Sequence, residues 1–202
     1  MKIGVLIASL FLFFSAGVAG AFTNPDADFR KAQAKFQTGD FENAASLLIR
    51  AVENGHEAAQ VPLAALFRAG QGVEQNLPKA FELFTNAAYQ GYPSAQFALG
   101  MMYRLGEGTQ TNHGEAEKWF RRAASVGHAE AQNSLGVMFE TGRGVKVSYV
   151  TAVMWYHVAG SSGSRRGIDN KNRLSQKLSA AEVERAKRLA LACMRSQYKR
   201  CS

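Results

Sequence analysis

The stretch FETGRGV, residues 139–145, sets two glycines either side of an arginine directly after an apolar run. Gly-x-Gly beside a basic side chain is how many phosphate-cradling loops begin. This heptapeptide therefore decides between a nucleotide enzyme and a repeat scaffold. FRAGQGV at 67–73 and YRLGEGT at 103–109 precede it at steps of 36 residues. The same step links Gly55, Gly91, Gly127 and Gly163, and likewise Ala44, Ala80, Ala116 and Ala152. Gln60, Gln96 and Gln132 follow it, as do Leu63, Leu99 and Leu135. No insertion breaks the register, so the glycine pair marks a repeat.

A nucleotide loop needs more than this. The chain has no G-x-x-x-x-G-K-[ST], and no strand precedes the glycines to open a βαβ unit. The residue between the glycines is Gln71, Glu107 or Arg143, so no phosphate-pairing charge is maintained. A glutamate aimed at a phosphate would be repulsive.

Each unit reads as two helices. Ala95, Leu99 and Tyr103 recur at i, i+4 and i+8, on one helical face. Gly100, with Gly136 and Ala64 at the sister positions, predicts a second helix passing close by. Ala116, Trp119, Phe120 and Ala123 give that second helix its apolar face. Asn76, Asn112 and Ser148 stand where they cap its start, and Gly55, Gly91 and Gly127 where they close its end. One hairpin cannot bury its own apolar faces, whereas stacked hairpins can.

These residues carry a family resemblance. AEAQNSLGVMFETGRGVKVSYVTAVMWYHVAGSSG, 129–163, resembles the Sel-one-like repeat, a branch of the tetratricopeptide superfamily. Residues 95–127 match equally closely, and 59–91 match except that Pro62 falls in the first helix, which should start late or kink. Residues 22–56 look like a divergent tetratricopeptide hairpin, 57–164 hold the three 36-residue repeats, and 165–202 look like a helical cap. Ser179 and Glu182 form a candidate capping box in that cap. The resemblance implies an all-α fold, a right-handed α-solenoid of antiparallel helix pairs. It also implies a non-enzymatic, protein-binding adaptor, of the kind that serves envelope signalling or exopolysaccharide control.

The ends of the chain bear on where it works. Lys2, an apolar run from Ile3 to Phe14, and Ala19-Gly20-Ala21 fit a signal peptide over 1–21, cleaved before Phe22. The competing reading, a membrane anchor, needs roughly 20 consecutive apolar residues. Export to the periplasm or beyond makes Cys193 and Cys201 a disulfide candidate, against the alternative of two free thiols. In a continuous helix that spacing holds the Cα atoms roughly 12 Å apart. A bond therefore requires the last helix to stop and the chain to fold back. Absence of an N-x-[ST] acceptor or a retention signal disfavours a eukaryotic secretory route.

Net charge is +8 overall, and residues 165–202 carry 11 Lys/Arg against 3 Asp/Glu. Such a segment can dock on anionic lipid or glycan, or be a solvated face. No nucleic-acid partner, cofactor or metal is expected. No His pair has the i, i+4 ligand spacing, and His56 and His128 alternate with Tyr92 at one periodic position, which points to packing or capping. A cell-wall or β-lactam-directed hydrolase is the enzymatic alternative. The paired cysteines found in each repeat of such relatives are missing.

A concave face lined by the first helices is the expected binding site. In the resembling tetratricopeptide family the groove-facing side chains fall where these repeats vary, which implies as candidates Val61 and Arg68 in the first repeat, Phe97, Met101 and Arg104 in the second, and Asn133, Val137 and Glu140 in the third. Phe97 and Met101 form a soft apolar spot beside Arg104, unless Phe97 packs on the neighbouring repeat.

Overall fold

The structure, a computed structural model, describes residues 24–199 and residue 201. The expected signal peptide lies outside them. Ten α-helices and no strand are found among the described residues, the first eight joined as antiparallel pairs. A divergent hairpin, α1 (Pro25–Gln37) and α2 (Phe41–Glu53), comes first. Three regular pairs follow: α3 (Gln60–Ala69) with α4 (Leu77–Tyr89), α5 (Pro93–Leu105) with α6 (His113–Ala124), and α7 (Ala129–Thr141) with α8 (Tyr149–Ser161). The last two helices, α9 (Arg165–Ser175) and α10 (Ala180–Arg195), both pack on α8. Each second helix also packs on the next first helix, and α10 packs back on α8, so the pairs stack into an α-solenoid.

The caps sit where the period puts them. Asn76, Asn112 and Ser148 accept the N–H groups of Lys79, Glu115 and Thr151 at 2.9, 3.0 and 3.3 Å. Ser179 and Glu182 close the capping box of α10. Pro62, having no N–H to donate, belongs near a helix start. The first turn of that repeat is accordingly a 3₁₀ turn, Glu57–Ala59, and α3 begins late at Gln60, where α5 and α7 are helical from Pro93 and Ala129.

The two glycines of each turn do different work. Gly70, Gly106 and Gly142 end the first helices in the left-handed conformation. Gly72, Gly108 and Gly144 also have positive φ, and each presses on the unit before it. A Cβ there would collide with the backbone of Phe41, Leu77 and His113 respectively. The second glycine is thus a seam between stacked pairs.

The small-residue position behaves as expected. A Cβ on Gly100 would lie 2.7 Å from the Phe120 ring, and Tyr156 crowds Gly136 in the same way. Two of the periodic glutamines, Gln96 and Gln132, tie first helices to the preceding second helices. Gln96 Nε2 and Gln132 Nε2 donate to the carbonyls of Ala88 and Ala124, each at 3.2 Å. Each such buried bond contributes about 1 kcal/mol net, though Gln132 Oε1 is itself buried without a partner.

Cys193 and Cys201 are joined, with Cα atoms 4.6 Å apart. The helix stops at Arg195, and Gln197 and Tyr198, both at positive φ, turn the chain back.

Candidate functional site: the inner face of the first helices

The first helices α1, α3, α5, α7 and α9 line one side of the stack. An aromatic ladder runs along it. Phe29 of α1 packs on His56 with ring centroids 4.2 Å apart, and Phe97 of α5 stacks on His128 at 4.9 Å. Both histidines precede a first helix. His128 is also an N-cap, its Nδ1 accepting from Ala131 N–H at 3.3 Å, and burial pushes its imidazole below the usual range. The repeat between them breaks the ladder. Val61 stands one period before Phe97, and Tyr92 one period before His128. With valine there, a groove of about 590 Å³ lies open between α1, α3 and the start of α5. Phe29, Phe36, Leu48, Val61, Pro62 and Tyr92 supply most of its apolar wall.

Phe97 is therefore engaged within the solenoid, its ring also 5.8 Å from that of Phe120. Met101 and Val137 are half-buried against the same core. The expected soft spot at Phe97 and Met101 is not a free patch, because the His128 ring covers Phe97.

The polar candidates of the third repeat are taken up by α9, which starts one period after α7. Asn133 is buried and accepts from Asn170 Nδ2 at 3.0 Å. Glu140 accepts from Tyr156 Oη at 2.7 Å and from both Arg173 terminal nitrogens at 2.8 and 2.7 Å. The Arg173 bonds, then the Tyr156 bond, hold its carboxyl below the usual range. Burial, then Glu140, pushes the Tyr156 hydroxyl up. Glu130 accepts from Ser164 Oγ at 2.9 Å, with Arg166 at 3.7 Å. Asn133 and Glu140, expected to face a partner, instead hold the cap, since α9 is a further first helix laid on that face.

Arg68 pairs with Glu107 of the next turn, Nε to Oε2 at 2.6 Å and Nη2 to Oε1 at 3.3 Å. Arg104, one period on, makes no ion pair among the described residues, and its Nε is buried without a hydrogen-bond partner. Burial first, then nearby Arg143, presses its guanidinium below the usual range. Among the described residues no group of three or more His, Cys, Asp or Glu could hold a metal ion. None of their helices is long and apolar enough to cross a membrane.

The sequence model of the Sel1 repeat matches residues 58–92, 93–128 and 129–164. The chain belongs to the Sel1 repeat family. It is similar to the crystal structure of a Sel1 repeat protein from Oxalobacter formigenes, with 33% identity and a TM-score of 0.65 over 71% of this chain and 57% of that one. It is also similar to c5321, a protective antigen present in uropathogenic Escherichia coli strains and displaying the same fold. There the identity is 26% and the TM-score 0.60, over 88% of this chain and 48% of that one. The Sel1 repeat protein described here thus spans about half the length of each of these two. No curated protein matches it.

Two features of this Sel1 repeat protein escape a reading of single repeats. The residue between the turn glycines reaches the last turn of the preceding first helix, as Glu107 reaches Arg68. The signal is a pair of opposite charges 39 residues apart, one period plus three. The groove is the other, and its signal is the substitution of valine for an aromatic at one rung.

Proposed function

We propose that this Sel1 repeat protein is an exported, non-enzymatic scaffold that seats an extended segment of a protein partner along its inner face. The observation that carries this reading is the apolar groove left open at Val61. Its volume of about 590 Å³ suits a few apolar side chains of a peptide, which is the size range of specific sites. Stacked helix pairs present such surfaces to peptides across repeat folds. Arg68, Arg104 and the exposed end of α5 extend the surface beyond the groove. A buried disulfide between Cys193 and Cys201 supports work in an oxidising compartment such as the periplasm.

Affinity capture from the native envelope, with the parent chain beside Phe36→Asp, tests the reading. Phe36 is 37% exposed on the groove wall and its ring meets Phe41 edge-on, so circular dichroism first checks that the variant is folded. Loss of a partner from the variant is expected, and equal retention by both would sink the groove assignment. A partner kept by the variant but shed between low and physiological salt would move the function to the basic cap, the anionic-surface reading.

A further inference from the structure

The seam between the second and third Sel1 repeats carries two arginines where the seam before it carries an ion pair. Arg104 and Arg143 stand one period after Arg68 and Glu107. The two turns have the same backbone. Gly106 and Gly108 have φ of 75° and 69°, and Gly142 and Gly144 have 74° and 81°. Residue 143 is therefore offered to the end of α5 as residue 107 is offered to the end of α3. In the earlier seam a carboxylate receives two guanidinium N–H bonds. In the later one the carboxylate is missing from the chain.

The acids nearby are committed. Glu107, which acts electrostatically on Arg104, is held by Arg68. Glu140 is held by Tyr156 and Arg173. That leaves Arg104 half-buried, with its Nε shielded and unbonded, and within electrostatic reach of the exposed Arg143. A guanidinium cannot relieve this by losing its proton near neutral pH. An anion relieves it, and a planar carboxylate can meet the terminal nitrogens of the guanidinium, its Nε being closed to solvent.

We propose that Arg104 and Arg143 form a clamp for a carboxylate of an acidic peptide segment, taken from an Asp or Glu side chain or from a chain end. That the carboxylate belongs to a peptide rests on the scaffold reading above; the clamp itself does not. Ser94, on the groove wall, and Arg104 share α5, so groove and clamp lie about 15 Å apart along it. About five extended residues span that distance. The occupant is thus an apolar segment followed or preceded by an acid at that interval.

The test needs no partner. Arginine side-chain Nε–H resonances of the full chain are followed by nitrogen-15 NMR during titration with three probes. These are N-acetyl-glutamic acid α-amide for a side-chain carboxylate, N-acetyl-glycine for a chain end, and inorganic phosphate. Saturable shifts of the Arg104 and Arg143 signals with either carboxylate are expected, and the tighter of the two names the source. In Arg143→Glu, which rebuilds the earlier seam and so folds, the Arg104 response is expected to fall at least tenfold in affinity. Shifts that fail to saturate, an unchanged response in Arg143→Glu, or phosphate binding tighter than both carboxylates would each overturn the clamp. The Phe36→Asp capture experiment leaves these resonances untouched, so either idea can fail alone.

Discussion

Arg68 and Glu107 lie 39 residues apart in sequence and close a two-pronged ion pair across the seam between repeats, Nε to Oε2 at 2.6 Å. Their side chains are 34% and 27% exposed, so solvent screens the pair and its coupling is expected at about 1 kcal/mol. Glu107→Arg should lower stability to urea, and Arg68→Glu with Glu107→Arg should restore most of the loss. A double-mutant cycle with no coupling would show that the pair only decorates the seam.

Glu140 gives the protein an acid-sensitive tie between its last repeat and its cap. Its carboxyl titrates below the usual Glu value of 4.5, chiefly through Arg173 and then Tyr156. A depressed carboxylate stabilises fully above its unfolded value and loses that contribution as pH falls through the folded value. Glu140→Gln should therefore cost about 1–2 kcal/mol at neutral pH, given that Arg173 is partly exposed. The gap should close as pH drops below 4.5. Urea titrations at neutral and acid pH read this directly, and a gap independent of pH would contradict it.

The two kinds of glycine should separate on substitution. At Gly91 a Cβ meets nothing within 4 Å, so Gly91→Ala pays only for left-handed backbone, about 1 kcal/mol. At Gly108 the same backbone cost is joined by collision with the Leu77 carbonyl. Gly108→Ala should cost more than about 2 kcal/mol. Thermal denaturation of the two variants would reveal the order, and equal losses would refute the seam role.

Filling the groove tests its origin. Val61→Phe should rebuild the missing aromatic rung against Tyr92, hold or raise the melting temperature, and abolish capture of the partner. Unchanged capture by a folded Val61→Phe protein would mean that the opening at Val61 is incidental.

The cystine closes a short terminal loop, for which loop entropy allows at most about 2–3 kcal/mol. Cys193→Ser with Cys201→Ser should free the amides after Arg195 to hydrogen exchange while leaving α5 and α7 protected. Spread of fast exchange into those helices would show that the bond supports the whole stack.

Much of the fold could be read from residues whose role is local. Asn76 caps, Gly106 ends a helix and Gly100 admits a ring, each within one repeat, and the period exposes them by repetition. Pro62 announced a delayed helix because its missing N–H acts on its own turn. The site was less legible. Whether Phe97 is free or packed stays open in sequence because the ring that covers it, His128, belongs to the following unit. Asn133 and Glu140 look like groove residues because α9 has lost the apolar signature of a first helix while keeping its position. Contacts between units follow side-chain reach, which a period does not encode.

The middle residue of each turn also governs which units tolerate which neighbours. Arg104 with Glu107, and Glu140 with Arg143, are opposite charges within a single unit. A tandem copy of 93–128 would set Arg104 against a second Glu107, and a tandem copy of 129–164 would set Glu140 against a second Arg143. Each unit is therefore a good successor to itself, and discord arises only where these two different units join. At these positions the array could lengthen by duplicating either one with opposite charges facing, while the junction between them sets arginine to arginine.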